Sequence, residues 1–318
     1  MRVLVTGASG LLGRHCLAAL LDGGFQVRAV VHHTPLPTEL ASQVEVVAGT
    51  LDDVCGRPDA LDEVDAVVHC AFRLGNPGDQ EFRRQHLEAP SQLLRLASAR
   101  GVKIFVHVSS VVVYGFGPTS KPVTESSPAI LDQPPVDAYP AAKLELEQLL
   151  EASARNLPLR LAIIRPGVLF DDKHPPVSRV TNRRGARVGL VVGSGRNHLP
   201  FIHASDVADL IARIVRNEAG GVFNAVPSQT SAALAFAQAW ARGGDTRIRR
   251  IAVSSYRALA WITWFRGALT GRPIRYPNVG YGIRRATRDL HYVSGARSSL
   301  GWIDEHTQTV TEEDPRER

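Results

Sequence analysis

The chain has 318 residues and a mass of 34.5 kDa, a length that suits one large domain or two smaller ones. Hydrophobic residues make up 44% of the sequence and charged residues 21%, which excludes an intrinsically disordered chain. The three cysteines exclude a disulfide scaffold, and their spacing argues against a metal site. The net charge of +6 comes mostly from arginines that are scattered along the sequence, so an anionic cofactor explains it better than nucleic acid does.

The sequence also carries expectations about location. The apolar run at the N-terminus is too short for the core of a signal peptide and passes directly into Thr6 and Gly7. The longest apolar stretch, 258–265, is far below the ~20 residues needed to span a bilayer. We therefore expect a cytoplasmic protein without an integral membrane segment.

Short runs rich in Val, Ile and Leu alternate with helical patterns through the first half of the chain. The runs are almost continuously apolar, as in parallel strands that are covered on both faces. Strand, helix and strand at this spacing indicate right-handed crossovers and a doubly wound parallel α/β sheet of the Rossmann type. The predicted strands are 2–6, 26–31, 44–47, 65–70, 103–108, 159–164 and 222–226, and the predicted helices are 11–22, 82–99, 139–156 and 206–216.

Glycine and proline become more frequent after Phe170, and the last third of the chain holds all four tryptophans. We interpret these parts as a smaller C-terminal lobe that closes over the first domain and binds the substrate. The predicted first domain comprises residues 1–169 with 201–226, and the predicted lobe comprises 170–200 with 227–318.

A glycine-rich loop lies where the first strand meets the first helix, with the sequence TGASGLLG over residues 6–13. In such a loop the first glycine permits the tight turn, the second lets the backbone approach a pyrophosphate, and the third lets the helix pack on the strand. The helix N-terminus then offers free N–H groups to the anion. Because the loop joins an apolar strand to an amphipathic helix, it predicts that the first domain binds a dinucleotide.

The end of the second strand bears on which dinucleotide binds. An NAD site usually has an acidic residue there to hold the ribose 2′-hydroxyl. This sequence has His32 and His33 instead, and no acidic residue until Glu39. Two imidazoles tolerate or favour a 2′-phosphate, unless they are solvent-facing loop residues without a role. The sequence therefore favours NADP(H) over NAD(H).

Three residues further along form a candidate catalytic group. Tyr139 and Lys143 are four residues apart on a predicted helix and project from one face. A tyrosine phenol has a reference pKa of about 10, and a neighbouring ammonium lowers that pKa by stabilising the phenolate. The strand upstream ends in Ser109 and Ser110, where a hydroxyl could polarise a substrate carbonyl. Alone, a Tyr–Lys pair is usually a surface contact; together with the glycine loop and the serine it predicts acid–base catalysis.

Seven segments carry a resemblance to a known family. They are TGASGLLG at 6–13, DAVVHCA at 65–71, VSSVVVYG at 108–115, YPAAK at 139–143, RPGVLF at 165–170, FIHASDVA at 201–208 and YVSGARSSLGW at 292–302. In their order and spacing the chain resembles the extended short-chain dehydrogenase/reductases of the NAD-dependent epimerase/dehydratase type. Within that family it looks most like the branch of dihydroflavonol reductases and 3β-hydroxysteroid dehydrogenases.

The resemblance implies roles for individual residues, and no metal site is predicted. Ser110, rather than Ser109, would bind the carbonyl, Tyr139 would be the acid–base group, and Lys143 would be its partner. His69 would line the cofactor rather than act as a base. The predicted cofactor-binding residues are Gly7, Ser9, Gly10, Leu11, Leu12, Gly13, His32, His33, Leu51, Cys70, Ala71, Val108, Tyr139, Lys143, Pro166, Gly167 and Val168.

Two departures from the family pattern concern the cofactor and the proton relay. The family's aspartate near the adenine is replaced by Thr50, and Asp52 or Asp53 are the possible substitutes. The helix asparagine that supports the site in many members is replaced by His86, whose imidazole can still make one hydrogen bond.

A third departure concerns the substrate. Relatives that act on nucleotide sugars usually bind the diphosphate with an asparagine and an arginine, and this chain has Val168 and Leu199 at those places. The loss of both ligands favours a largely apolar, ring-containing carbonyl compound, because an unpaired buried charge costs several kcal/mol. Arg187 or Arg196 could compensate. Four aromatic residues could supply the flat apolar walls that a ring needs, namely Trp261, Trp264, Phe265 and Tyr281. Buried packing of the tryptophans is nevertheless the favoured interpretation.

Two other functions stay open at this point. The first is a nucleotide-sugar epimerase or dehydratase, and the second is a non-catalytic dinucleotide sensor, which would typically lose the Tyr–Lys pair. By resemblance a homodimer is possible. The cluster Arg179, Arg183, Arg184, Arg187 and Arg196 is favoured as solvated surface, with an anionic substrate group or membrane headgroups near the tryptophans as the alternative.

Overall fold

A computed structural model describes most of the chain. The described residues are 1–72, 79–115, 121–129, 138–176, 178–181, 187–242, 246–269, 283, 289 and 291–312. Of the residues singled out from the sequence, Arg183, Arg184 and Tyr281 lie outside this set.

The described strands form one large sheet and three small ones. In chain order they are β1 (Arg2–Thr6), β2 (Gln26–Val31), β3 (Glu45–Ala48), β4 (Ala66–His69), β5 (Ile104–Val108), β6 (Arg160–Pro166), β7 (Val168–Phe170), β8 (Ser178–Thr181), β9 (Arg187–Val192), β10 (His198–Leu199), β11 (Phe201–His203), β12 (Gly221–Ala225), β13 (Ser231–Ala232) and β14 (Thr246–Ile251). The large sheet has the order β12-β6-β5-β4-β1-β2-β3. All of its neighbouring strands are parallel.

Helices cover both faces of this sheet. The described α-helices of the chain as a whole are α1 (Leu11–Asp22), α2 (Thr38–Ala41), α3 (Leu51–Cys55), α4 (Gln80–Arg83), α5 (Ala89–Ala99), α6 (Ala138–Ala154), α7 (Ala204–Asn217), α8 (Ala233–Ala241), α9 (Val253–Leu269), α10 (Ala296–Leu300) and α11 (Glu305–Glu312). A π-helical turn at Arg84–Glu88 joins α4 to α5. Pro90 follows it, and because proline has no N–H it cannot donate the α-helical hydrogen bond back to residue 86.

The strand residues alternate between two apolar layers. Val3 and Val5 pack in one layer with α1 and α7, whereas Leu4 between them packs in the other with α3, α5 and α6. Both layers are buried, so the strands are apolar on both sides. The doubly wound parallel sheet predicted from the sequence is thereby confirmed, with strand ends within two residues of the predicted ones.

The tryptophans differ from the sequence-based interpretation. Trp302 is buried in the layer between the sheet and α7, and its Nε1 donates to the carbonyl of Asp206 at 2.8 Å. Trp261 and Trp264 on α9 are 59% and 39% exposed, so the favoured expectation of buried packing is wrong for them. A helix with apolar residues on more than one side cannot bury all of them against a single neighbour. No helix among the described residues is long and apolar enough to cross a membrane.

A buried polar network joins β6, α6, β12 and the turn at Val111–Tyr114. Arg165 on β6 donates from Nη2 and Nε to the carboxylate of Glu147 on α6, at 2.6 and 3.1 Å. Its Nη1 donates to the hydroxyl of Tyr114 at 2.8 Å, and that hydroxyl donates to Oδ1 of Asn224 on β12 at 2.8 Å. Burial alone would lower the pKa of Arg165, but the hydrogen bonds and ion pair with Glu147 outweigh it and raise the pKa, so the guanidinium stays charged.

Breaking this network from one side is expected to destabilise the fold. Arg165→Met leaves the Glu147 carboxylate buried without its partner, and the free energy of unfolding should fall by about 3–5 kcal/mol in urea denaturation. The double variant Arg165→Met/Glu147→Leu should recover much of that loss, because no unpaired charge remains.

The exposed pair Arg83–Glu145 provides the matched control. It has the same chemistry, with 40% and 37% of the two side chains exposed. Arg83→Met should cost less than about 1 kcal/mol. Equal losses in the two single variants would contradict the assignment of a structural role to the buried pair.

Candidate active site

The glycine loop forms a backbone cradle between β1 and α1. Gly7 has φ of +68°, and a Cβ placed there would lie 2.6 Å from the backbone nitrogen of Ala71. A Cβ on Gly13 would lie 2.1 Å from the carbonyl oxygen of Gly7. Gly10 precedes the first turn of α1 without any side-chain cap, which leaves the N–H groups of that turn available to an anion. The loop therefore fits the pyrophosphate of a dinucleotide.

The predicted cofactor residues follow the carboxyl ends of neighbouring strands. Those ends meet at one edge of a parallel sheet, which is where ligands of such sheets bind. Gly7 follows β1, His32 and His33 follow β2, Cys70 follows β4, and Gly167 follows β6. The edge thus collects most of the residues that the sequence predicted for the cofactor.

His32 and His33 are exposed, with their ring centroids 3.4 Å apart. Asp53 interacts electrostatically with His32 and with Arg57, and its hydrogen bonds from Thr50 hold the pKa of its carboxyl below the usual range. This carboxylate therefore faces positive or polar groups.

The adenine region departs from the family pattern in a way the structure explains. Thr50 is the N-cap of α3, and its hydroxyl accepts the N–H of Asp53 while Oδ2 of Asp53 accepts the N–H of Thr50. This reciprocal pair is a capping box. Asp52 forms an ion pair with Arg84 at 2.6 Å. Each of the two possible substitutes for the missing aspartate is thus engaged with another side chain, and Leu51 begins α3 between them and Thr50.

Lys143 is a buried ammonium. Only 3% of the residue is exposed, its Nζ donates to the carbonyl of Val108 at 2.8 Å, and it lies 4.0 Å from the ring centroid of Phe72. Burial lowers the pKa of Lys143 to about 7. The lysine of the predicted pair is therefore fixed against the end of β5, and its charge depends on the pH near neutrality.

Phe72 is the centre of an aromatic group that contains the predicted acid–base residue. Its ring contacts Tyr139, His86 and Phe82 at centroid distances of 5.8, 5.4 and 6.0 Å. Phe72 directly follows Ala71, whose backbone meets Gly7. One apolar side chain thus connects the glycine loop to Tyr139 and Lys143.

Ser110 begins the tight turn at Val111–Tyr114. Its hydroxyl accepts the N–H of Val112 in a long hydrogen bond of 3.4 Å. Ser109 is also buried, and its hydroxyl has no hydrogen-bond partner in the described part of the chain. Both serines lie just beyond Val108, whose carbonyl holds Lys143.

His69 lies at the end of β4, buried beside this group. Its Nδ1 is 2.7 Å from the hydroxyl oxygen of Thr6, and its ring stacks on His107 at 5.5 Å. Burial, followed by the charge of Lys143, lowers the pKa of His69 to about 3. A neutral, tightly packed imidazole of this kind suits the lining role expected for it better than the role of a base.

The segment after β6 passes close to Pro200, which lies between β10 and β11. A Cβ on Gly167 would lie 2.1 Å from the carbonyl oxygen of Pro200, and the N–H of Val168 donates to the same oxygen at 2.7 Å. Val168 and Tyr139 both pack against the apolar cluster that contains Leu199 and Tyr114. The two positions that departed from the nucleotide-sugar pattern therefore pack in or against the same apolar cluster as Tyr139.

Sequence reasoning missed the residues that hold this site together. Phe72 had a signal, because it directly follows the strand motif DAVVHCA. Arg165 and Tyr114 had one too, as members of RPGVLF and VSSVVVYG. Glu147 had no such signal. It lies four residues after Lys143 on a predicted helix, and a carboxylate at that spacing from a lysine is typical of an exposed surface pair.

Comparison with known proteins identifies the family of this chain. The model of the NAD dependent epimerase/dehydratase family matches residues 3–225, and the chain belongs to that family. It is a member of the extended short-chain dehydrogenase/reductases, as the motifs predicted.

Relatives in sequence include two oxidoreductases. A sterol-4-alpha-carboxylate 3-dehydrogenase, decarboxylating, from Dictyostelium discoideum is 25% identical over 217 residues, which are 65% of this chain and 65% of the relative. A 4-hydroxy-2-methyl-3-oxo-4-farnesyl-3,4-dihydroquinoline-1-oxide ketoreductase from Stigmatella aurantiaca is 32% identical over 172 residues, 54% of this chain and 51% of the relative. The chain thus aligns with less than two thirds of the length of these relatives.

Among solved structures, MoeE5 in complex with UDP-glucose and NAD has a TM-score of 0.70 at 22% identity. The alignment covers 98% of this chain and 96% of that one. At this identity the similarity establishes the fold.

The desolvated Lys143 should leave a signature in the pH dependence of stability. The unfolded chain binds the lysine proton up to a pH of about 10.5, whereas the folded protein releases it near pH 7. Between these values the unfolded state holds more protons, so this group makes the protein more stable as the pH rises. Lys143→Met removes this pH-dependent contribution of the lysine. The free energy of unfolding of the variant minus that of the wild type should therefore be highest at pH 7 and should decline toward pH 10.5.

The exposed Lys121 gives the matched control. Lys121→Met should follow the wild-type pH profile across the same window in urea denaturation. A difference between Lys143→Met and wild type that is constant with pH would contradict the desolvation of Lys143.

Proposed function

We propose that this protein is an NADP(H)-dependent ketoreductase that moves a hydride between the nicotinamide and a carbonyl or secondary alcohol on a largely apolar, ring-containing small molecule. The observation that carries the proposal is the continuous contact from the glycine loop through Ala71 and Phe72 to Tyr139 and Lys143. It joins a dinucleotide cradle to an acid–base pair, a combination that a binding protein does not need.

Gly7, Gly10 and Gly13 would hold the pyrophosphate, and Cys70, Ala71 and Gly167 would line the rest of the cofactor. When bound, the nicotinamide supplies or accepts the hydride. The hydroxyl of Ser110 would donate a hydrogen bond to the carbonyl oxygen of the substrate, and the hydroxyl of Tyr139 would give that oxygen its proton. The charged form of Lys143 favours the tyrosinate that results.

The surroundings of Tyr139 support the proposed substrate class. Val168 and Leu199 belong to the same apolar cluster as Tyr139, and Leu199 is only 6% exposed. A diphosphate at these side chains would be desolvated without a partner, which costs several kcal/mol. An apolar ring would bury its surface there instead. The two oxidoreductase relatives, a sterol dehydrogenase and a farnesyl-quinoline ketoreductase by name, agree with this class.

The preference for NADP(H) rests on the end of β2. Two exposed imidazoles stand where an NAD site usually has a carboxylate. Asp53, which interacts with His32, also faces Arg57 and accepts hydrogen bonds from Thr50. The preference for NADP(H) therefore rests on the two imidazoles in place of that carboxylate, and the charged Asp53 near His32 does not add to it.

Tyr139→Phe tests the catalytic assignment. Loss of the hydroxyl should lower kcat/KM by about 10²- to 10⁴-fold, while the affinity for NADPH stays close to wild type because the ring still packs on Phe72. Steady-state kinetics and a fluorescence titration of NADPH measure the two effects. Tyr256→Phe on α9 is the control and should retain wild-type turnover. Unaltered turnover in Tyr139→Phe would favour a non-catalytic sensor.

A thermal-shift series tests the ligand classes without requiring turnover. NADPH should raise Tm at lower concentration than NADH, with affinities that differ by about tenfold (~1.4 kcal/mol). With NADPH present, bicyclic or steroidal ketones should raise Tm further, and UDP or dTDP should not. Tighter binding of NADH would contradict the cofactor preference. A response to the nucleoside diphosphates without any response to the ketones would favour the epimerase or dehydratase alternative.

A further inference from the structure

Helix α9 presents an exposed apolar stripe that the proposed chemistry does not use. The stripe consists of Trp261, Ile262, Phe265 and Leu269, which are 59%, 57%, 54% and 71% exposed. Large apolar side chains at this exposure are common singly, but contiguous ones usually mark an interaction surface. We use the name α9 stripe for these four residues.

The four residues lie on one side of the helix. Spacings of one, four and eight residues from Trp261 place all of them within about 100° of arc at 3.6 residues per turn. Ala260, which points to another side, is 5% exposed and marks the side that packs against the protein. The helix therefore turns apolar residues outward as well as inward.

Arginines flank the α9 stripe on both sides. By the same helical geometry Arg257 lies beside Trp261, and Arg266 lies beside Ile262. Both are exposed, as are Arg247, Arg249 and Arg250 on β14.

The sequence around α9 has an uneven distribution of charge. Residues 246–288 contain ten arginines and not one acidic residue, whereas the rest of the chain has more acidic than basic side chains. The positive net charge of the protein is thus concentrated in the segment that carries the stripe, and the interpretation of the arginines as scattered along the sequence is wrong for this segment. A surface that complements this segment is anionic and able to take up apolar side chains.

Two other occupants fit these observations less well. A second copy of the chain placed symmetrically on the α9 stripe would bring the two arginine-rich segments together, which like-charge repulsion opposes. Single-stranded nucleic acid stacks its bases on aromatic side chains, but Ile262 and Leu269 offer no ring for stacking. Tryptophan and phenylalanine beside aliphatic residues, with arginines at the margins, are typical of helices that lie in the headgroup region of a membrane.

We propose that the α9 stripe docks peripherally on a bilayer surface that contains anionic phospholipid. The stripe inserts at the level of the headgroups, and the flanking arginines pair with lipid phosphates, each contributing about 1 kcal/mol. The helix lies in the plane of the surface, because its 17 residues are fewer than the ~20 that a span requires.

Vesicle co-sedimentation tests the proposal on the full-length protein. The probes are vesicles of phosphatidylcholine alone and of phosphatidylcholine with phosphatidylglycerol. Ile262→Ser alters the stripe, and Ile303→Ser is its matched control, because Ile303 is also exposed, at 52%, and lies outside α9. Arg257→Gln alters the flank, and Arg155→Gln, an exposed arginine just beyond α6, is the control for charge.

Wild type should bind the anionic vesicles, bind the neutral ones more weakly, and lose affinity as salt rises. Ile262→Ser should lower the partition coefficient by about tenfold and Arg257→Gln by about fivefold. Both control variants should bind like wild type, and all four should keep the wild-type Tm.

Three results would overturn the proposal. The first is no binding of wild type to anionic vesicles, and the second is an equal loss in Ile303→Ser and Ile262→Ser. The third combines two observations: neither protein binds vesicles, and the wild type is a dimer in sedimentation equilibrium whereas Ile262→Ser is a monomer. This result would assign the α9 stripe to contact with a second copy of the chain. Turnover of a water-soluble ketone is unaffected in every case, so these outcomes are independent of the proposed catalytic function.

Discussion

The buried ion pair between Arg165 and Glu147 is the constraint on which the arrangement of the site depends. Arg165 extends from β6, Glu147 from α6, and Tyr114 from the turn that Ser110 begins. These are three of the elements that carry the proposed catalytic residues and the cofactor lining. A planar guanidinium fixes their relative orientation better than apolar contacts would, because its hydrogen bonds are directional. A group that takes no part in the proposed chemistry therefore holds these three elements together.

The burial of Lys143 is a second constraint, and it lowers the stability of the folded protein. Lys143 is held in an apolar environment by the carbonyl of Val108 and by the ring of Phe72, and its burial disfavours the charged form. Such an arrangement costs free energy, and proteins retain it where a function requires a readily titrated group. The dependence of the proposed tyrosinate on this lysine gives a physical reason for the cost.

The central sheet was predictable from the sequence because its strands are apolar on both faces and its helices are bounded by turn residues. The cradle was predictable as well, since Gly7 and Gly13 stand where any Cβ would meet backbone. The partners of Lys143 were not, because Val108 and Phe72 are distant in sequence and act through a backbone carbonyl and a ring face. Trp261 was misjudged for a related reason: composition gives the apolar content of a helix, and only packing decides which side is covered.

The most direct test of the account follows a labelled hydride. NADPH deuterated at C4 of the nicotinamide, on the face that is transferred, is mixed with excess protein and a bicyclic ketone, and the products are analysed by mass spectrometry and NMR. The account predicts one equivalent of NADPH oxidised per alcohol formed, with deuterium on the carbinol carbon. Conversion of a nucleotide sugar with no net change in the cofactor, and no reduction of the ketone, would contradict it.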